Sequence, residues 1–248
     1  MIPELLSFVT RCEGRKFRHL SPIVDDSFIK GEKLDGKSSI SLYVHIPFCR
    51  SLCPFCCFNR YLFQEGLARR YFIDLKKELE LYIRRGFSFS SIYFGGGTPT
   101  LLMDELSSFI EYLRAQFDVS EISLETTPRE LTERNIGLLK EMGINRLSVG
   151  VQSFEESVLK VMGRVNGPAA EIKSRLLMAQ GQFDTLNVDF VFNFPGQTSE
   201  QFAADVTAFK ELGIDQATFY PLMASPHKKD ALERKFNRVD NYCEKQFY

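Results

Sequence analysis

Six short runs rich in β-branched and aromatic residues, separated by amphipathic stretches of helical pitch, constrain this chain more than any other feature. They are Ser41 to Ile46, Ser91 to Phe94, Glu121 to Glu125, Arg146 to Val149, Thr185 to Phe192 and Gln216 to Tyr220. Regular alternation of this kind predicts repeated βα units, whose strands pair in parallel beneath covering helices. Between the runs, Leu67, Tyr71, Leu75 and Leu79 recur every four residues on a predicted helix that Gly86 ends, and Thr132 and Gly143 bracket another. Ser153 with Glu156, and Thr198 with Gln201, each fit a capping box, in which cap hydroxyl and third-position side chain satisfy orphan amides reciprocally. A weak internal echo supports the repeat. Lys140-Glu141-Met142-Gly143-Ile144-Asn145 returns as Lys210-Glu211-Leu212-Gly213-Ile214-Asp215, each ending a helix just before a strand. Such units build a barrel or an open α/β array whose ligands gather at the C-terminal strand ends.

The frame is that of an ordinary globular protein: 248 residues, 44% apolar, 25% charged, net charge −1. One large domain fits. No apolar run is long enough to span a bilayer, and Met1-Ile2-Pro3-Glu4 followed by Arg11 lacks the basic-then-apolar pattern of an export signal, so a cytoplasmic location is expected. Near-zero net charge argues against nucleic acid as a partner, since phosphate neutralisation needs a basic excess. The pairs Arg69-Arg70 and Arg84-Arg85 read as a solvated helical face.

Of six cysteines, four fall within nine residues directly after the first strand run: Cys49, Cys53, Cys56 and Cys57. The spacing C-x3-C-x2-C on a loop stiffened by Pro47 and Pro54 lets three thiolates converge on a soft metal centre. Three thiolates leave a metal position open, the mark of a reactive rather than a structural centre. A zinc knuckle using all four is the alternative, but neighbouring Cys56 and Cys57 are poorly placed to supply two tetrahedral corners. Disulfides belong to exported chains. Cys12 and Cys243 read as small hydrophobes or free thiols. His45, just before the loop, reads as a packed strand residue.

A second motif, Gly95-Gly96-Gly97-Thr98-Pro99-Thr100, ends the second strand run, where absent side chains let backbone groups approach a ligand. It lacks the spacing of nucleotide loops, so its position carries the weight. Further on, Glu125, Gln152 and Asp189 interrupt apolar strands at or near their C-terminal ends, and several such residues aimed at one mouth favour a site over mere solvation.

The cysteine spacing and its strand-then-loop setting resemble the radical S-adenosylmethionine (SAM) enzymes. In that family three cysteines hold three irons of a [4Fe-4S] cluster and SAM chelates the fourth; here they are Cys49, Cys53 and Cys56. The stretches Leu42 to Cys49, Gly95 to Thr100, Glu125 with Pro128, Asn145 to Phe154, and Asn187-Val188-Asp189 with Pro195 to Thr198 are similar to the oxygen-independent coproporphyrinogen III oxidase-like group, across about Tyr43 to Tyr220. This resemblance implies a partial (β/α)6 barrel over residues 40–228, an N-terminal extension over 1–39 and, in 229–248, the start of a truncated C-terminal region. It implies that Tyr43, Gly96, Gly97, Thr98 and Glu125 contact the cluster-bound SAM. Phe55, Gln152, Arg164 and Asp189 match positions that touch a second SAM in the decarboxylating member. It also implies a porphyrinogen or haem substrate and an electron donor such as flavodoxin or ferredoxin. Cys57-Phe58 departs from the Gly-Cys that usually follows the decarboxylase's third cysteine, and Pro221 stands where that enzyme has alanine. Oxidative decarboxylation of a tetrapyrrole is the favoured expectation. Radical methyl transfer, haem carriage with a retained cluster and a zinc-bound structural module are the alternatives.

Overall fold

All six predicted runs are strands of one parallel sheet, with boundaries moved by at most a few residues. The computed structural model describes residues 40–164, 166–222 and 233–234. The expected extension at 1–39 lies outside them, as do Cys12, His19, His227, Cys243 and most of 229–248.

The sheet comprises β1 (Ser41–Ile46), β4 (Ser91–Gly96), β5 (Glu121–Thr126), β6 (Arg146–Gln152), β7 (Thr185–Phe192) and β8 (Gln216–Pro221). Its order, β1-β4-β5-β6-β7-β8, follows the chain, and every ladder is parallel. β1 and β8 are edges that do not pair with each other, so the array is an open, partial (β/α)6 barrel. A separate parallel pair, β2 (Phe48–Cys49) and β3 (Tyr61–Leu62), closes the base of the cysteine loop. The helices are α1 (Glu65–Arg84), α2 (Met103–Gln116), α3 (Glu133–Glu141), α4 (Glu156–Met162), α5 (Ala169–Ala179) and α6 (Ser199–Leu212).

Strand alternation divides the sheet into two unlike faces. Val44, Ile46, Ile92, Phe94, Ile122, Leu124, Leu147, Val149, Leu186, Val188 and Phe190 are buried in one core with Phe72, Leu106, Ile110, Ile136, Leu139, Ile172 and Leu176 of the helices. Alternate residues, among them Tyr43, Tyr93, Ser123, Glu125, Ser148, Asn187 and Asp189, occupy the opposite face, and cross-strand register sets Ser148 beside Glu125 and Asn187. At about 25 cal/mol per Å² of apolar area buried, the outer face supplies the folding free energy and leaves the inner one available for polar chemistry.

Several local expectations need correction. The buried stripe of α1 is Ala68, Phe72 and Leu79, while Leu67 is 40% exposed and Tyr71 and Leu75 are only partly buried. The apolar face is rotated from the predicted one, because Phe72 packs edge-on to Phe109 of α2. Arg69 is no idle surface charge: it binds Glu65 and reaches across to Asp104 and Glu105 of α2. Thr132 and Thr198 cap α3 and α6 as expected, the latter with its full capping box. Ser153 and Glu156 do not form one. Ser153 Oγ donates to the buried Asp205 of α6 at 2.7 Å, and the Glu156 carboxylate accepts from Ala169 N at the start of α5.

Candidate active site

The cysteine loop is pinned at both ends. Tyr61 N donates to Pro47 O and Phe63 N to Cys49 O, tying its exit to its entrance. Inside it, Cys56 N donates to Cys53 O, and Arg60 donates to the carbonyls of Cys53 and Cys56. Two arginines fasten it to the barrel: Arg50 makes a salt bridge to the buried Glu130 at 2.8 Å, and Arg164 donates hydrogen bonds to Cys53 Sγ (3.2 Å) and Gly150 O (2.6 Å). Phe55 packs edge-on against Phe194 beyond β7.

The glycine turn after β4 extends the β1 ladder into this loop. Gly97 N donates to Ile46 O at 2.8 Å and Thr98 N to Phe48 O at 2.7 Å. A Cβ at Gly97 would collide with the Phe48 carbonyl, and Gly96 sits at φ +113 with the His45 ring 2.7 Å from where its Cβ would be. Only glycine fits both positions. Glu125 Oε2 accepts from Gly96 N (3.0 Å) and Oε1 from Tyr93 Oη (2.7 Å). Burial and the charge of Glu125 raise the pKa of Tyr93, which keeps it a donor.

Opposite the cysteines, Asp189 accepts from Ser148 Oγ (2.9 Å) and Asn187 Nδ2 (2.8 Å), while Thr218 Oγ1 donates to Asn187 Oδ1. Burial pushes the Asp189 carboxyl up to about 6 against those two hydrogen bonds, so at neutral pH it is mostly ionised. Gln152, at a bulge ending β6, holds φ +76, a region side-chain-bearing residues rarely enter. Asp205 anchors that corner, accepting from Ser153 Oγ and, at 2.6 Å, from Phe154 N.

These elements enclose one open cavity with about 1320 Å³ of empty space, part of it continuous with solvent. Cys49, Cys53, Cys56, Phe55, Gly96, Gly97, Thr98, Glu125, Gln152, Arg164 and Asp189 all line it. Tyr43 does not: it lies 55% exposed, with its hydroxyl on His45 Nδ1 and its ring stacked on Tyr93. Cys57 also lines the cavity.

The radical SAM superfamily model matches residues 43–209. The chain belongs to the radical SAM superfamily. It is 32% identical over 193 residues to the haem chaperone HemW of Bacillus subtilis, covering 75% of this chain and 51% of that protein. It is also 32% identical over 200 residues to the oxygen-independent coproporphyrinogen III oxidase of Pseudomonas aeruginosa, covering 76% and 43%. The solved coproporphyrinogen III oxidase HemN of Escherichia coli superposes with a TM-score of 0.71 at 32% identity, over 82% of this chain and 48% of that one. The chain thus spans about half the length of these relatives, within the HemN/HemW group of radical SAM proteins. No helix among the described residues is long and apolar enough to cross a membrane.

The radical SAM family implies a [4Fe-4S] cluster and SAM, and the donor set fits them. Among the described residues no three His, Cys, Asp or Glu side chains converge on a single ion position. A multi-iron cluster asks for something else, one thiolate per iron. The buried Nε atoms of Arg60 and Arg164, at the loop, have no acceptor among the described residues, and sulfur of a cluster held there would be a suitable one. Burial pushes the Cys49 thiol above its usual range despite a hydrogen bond from Thr98, so metal binding there would release a proton.

His45 is fully engaged, Nε2 with Asn59 O and Nδ1 with Tyr43 Oη, which supports its reading as a structural residue. The sequence assigns no site role to Tyr93, Ser148, Asn187 or Thr218, although Ser148 and Asn187 fall within stretches that carry the family resemblance. Their shared signal was polarity at inward positions of apolar strands, and only strand register shows which carboxylate each one serves.

Proposed function

We propose that this chain is the catalytic core of a radical SAM enzyme that oxidatively decarboxylates propionate side chains of a tetrapyrrole. The observation that carries this reading is the single cavity in which the three-cysteine loop, the glycine turn held by Glu125, and the Arg164 and Asp189 side chains face one another. In it, Cys49, Cys53 and Cys56 would hold the cluster and leave one iron for SAM. When bound, the pair supplies one-electron cleavage of SAM to a 5′-deoxyadenosyl radical. The residues of the chain have narrower tasks. Gly96, Gly97 and Thr98 present backbone and hydroxyl groups where no side chain blocks approach. Glu125 offers fixed negative charge to the SAM ammonium. Gln152 and Asp189 line the wall away from the cysteines, Arg164 sits against Cys53, and Phe55 and Phe58 contribute apolar lining beside the loop.

Haem carriage is the second reading. It is favoured by the equal 32% identity to HemW and by Cys57-Phe58 in place of Gly-Cys. Both nitrogens of His45 are engaged, so among the described residues the axial ligand would be another side chain such as Cys57 or Tyr220, both of which line the cavity.

Anaerobic turnover of the cluster-reconstituted protein with SAM, a low-potential reductant and coproporphyrinogen III separates them. Carbon dioxide loss from the tetrapyrrole, matched by 5′-deoxyadenosine, is the expected result. 5′-Deoxyadenosine with an unchanged tetrapyrrole rejects decarboxylation, and stable stoichiometric haem binding with no turnover establishes the carrier.

A further inference from the structure

Hydrogen-bond accounting in the cavity leaves one guanidinium wholly without a partner among the described residues. Four arginines and three carboxylates line it. Arg50 is paired with Glu130, Arg60 with the Cys53 and Cys56 carbonyls, and Arg164 with Gly150 O and Cys53 Sγ. Glu125 is held by Tyr93 and Gly96, and Asp189 by Ser148 and Asn187. Arg129 alone among these has no side-chain hydrogen bond or ion pair to any described residue.

Its backbone is nonetheless fixed. Arg129 follows the buried Pro128 in a single 3-10 turn after β5, and its carbonyl accepts from Arg175 Nη1 at 2.6 Å. The next residue, Glu130, is clamped by Arg50. A rigid pedestal thus presents an exposed guanidinium at the cavity wall, four residues beyond Glu125. A guanidinium's planar fork fits a carboxylate through two parallel hydrogen bonds, and no cavity carboxylate is left to receive them.

We propose that Arg129 is a specificity residue that anchors a carboxylate side chain of the substrate, a step that rests on the tetrapyrrole reading above. The test is binding of coproporphyrin III, with four free carboxylates, against its neutral tetra-amide. With no tryptophan in the chain, the porphyrin's own absorbance is the readout. The wild-type protein is expected to prefer the free acid by roughly tenfold or more. Arg129→Gln is expected to erase that preference through weaker acid binding, with amide affinity held, and Arg129→Lys to retain part of it. An undiminished preference in Arg129→Gln overturns the assignment, as does equal wild-type affinity for both ligands; in either case the tetrapyrrole reading stands. If the wild type binds neither porphyrin, that reading fails and the inference falls with it.

Discussion

The two faces of the parallel sheet are built from the same strands and obey opposite rules. Outward residues such as Phe94, Leu147, Leu186, Val188 and Phe190 show no measurable exposure and pack against helices. The inward set is Tyr, Ser, Glu, Asn, Asp and Thr, joined by hydrogen bonds that run from strand to strand. A closed eight-stranded barrel fills its interior with bulky aliphatic layers. An open six-stranded array need not, because its inner face is the wall of a cavity. Stability and chemistry are therefore separable here to a degree that a packed barrel interior would not allow.

The sharpest way to break that separation is at the cysteines. Replacing any one of Cys49, Cys53 or Cys56 with Ala is expected to abolish the intact cluster after anaerobic reconstitution, read as iron and sulfide content. Cys57→Ala is expected to keep it. The loop sits outside the main core, so the thermal transition of the metal-free variants should stay close to that of the metal-free wild type. Equal iron loss at Cys57 would sink the three-ligand assignment.

On the outer face the prediction reverses. Phe190 is fully buried, edge-on to Phe154 at 5.5 Å between centroids and stacked on Phe219 at 5.3 Å. Phe190→Ala leaves a cavity that this close-packed layer cannot refill, with an expected cost of about 3–5 kcal/mol in denaturant titrations. A loss under about 1 kcal/mol would show that the outer face does not carry the stability assigned to it.

The difference between the faces also explains how much was legible beforehand. The outer face is written in short-range alternation, and β7, from Thr185 to Phe192, could be read to the residue. The cysteine loop and glycine turn were legible because their chemistry depends on spacing along the chain. The face of α1 was misread, since Leu67 and Phe72 are equally apolar and only packing against Phe109 decides which is buried. The Ser153 box failed for a related reason. Asp205, 52 residues away, competes for the hydroxyl, and no local pattern discloses that competitor. Pairings such as Tyr93 with Glu125 or Ser148 with Asp189 depend on register between strands that neither segment specifies alone.

Asp189 offers the finest probe of the contrast, since it is a titratable group on the inner face whose cost to the fold depends on pH. Burial raises its pKa from 3.8 to about 6, so the folded state binds a proton more tightly than the unfolded chain does. Stability from this group is therefore fully present below about pH 4 and is lost as pH rises through 6, on the order of 3 kcal/mol before relaxation. Asp205, also pushed up to about 6 by burial, titrates in the same window, so the wild-type curve alone cannot assign the slope. Asp189→Asn isolates it. The variant carries a constant offset from rearranged hydrogen bonds to Ser148 and Asn187, but its stability relative to wild type should climb between pH 4 and 6 and then level off. Parallel wild-type and variant curves across that interval would mean that Asp189 is not desolvated, and that the inner wall is wetter than its hydrogen-bond network implies.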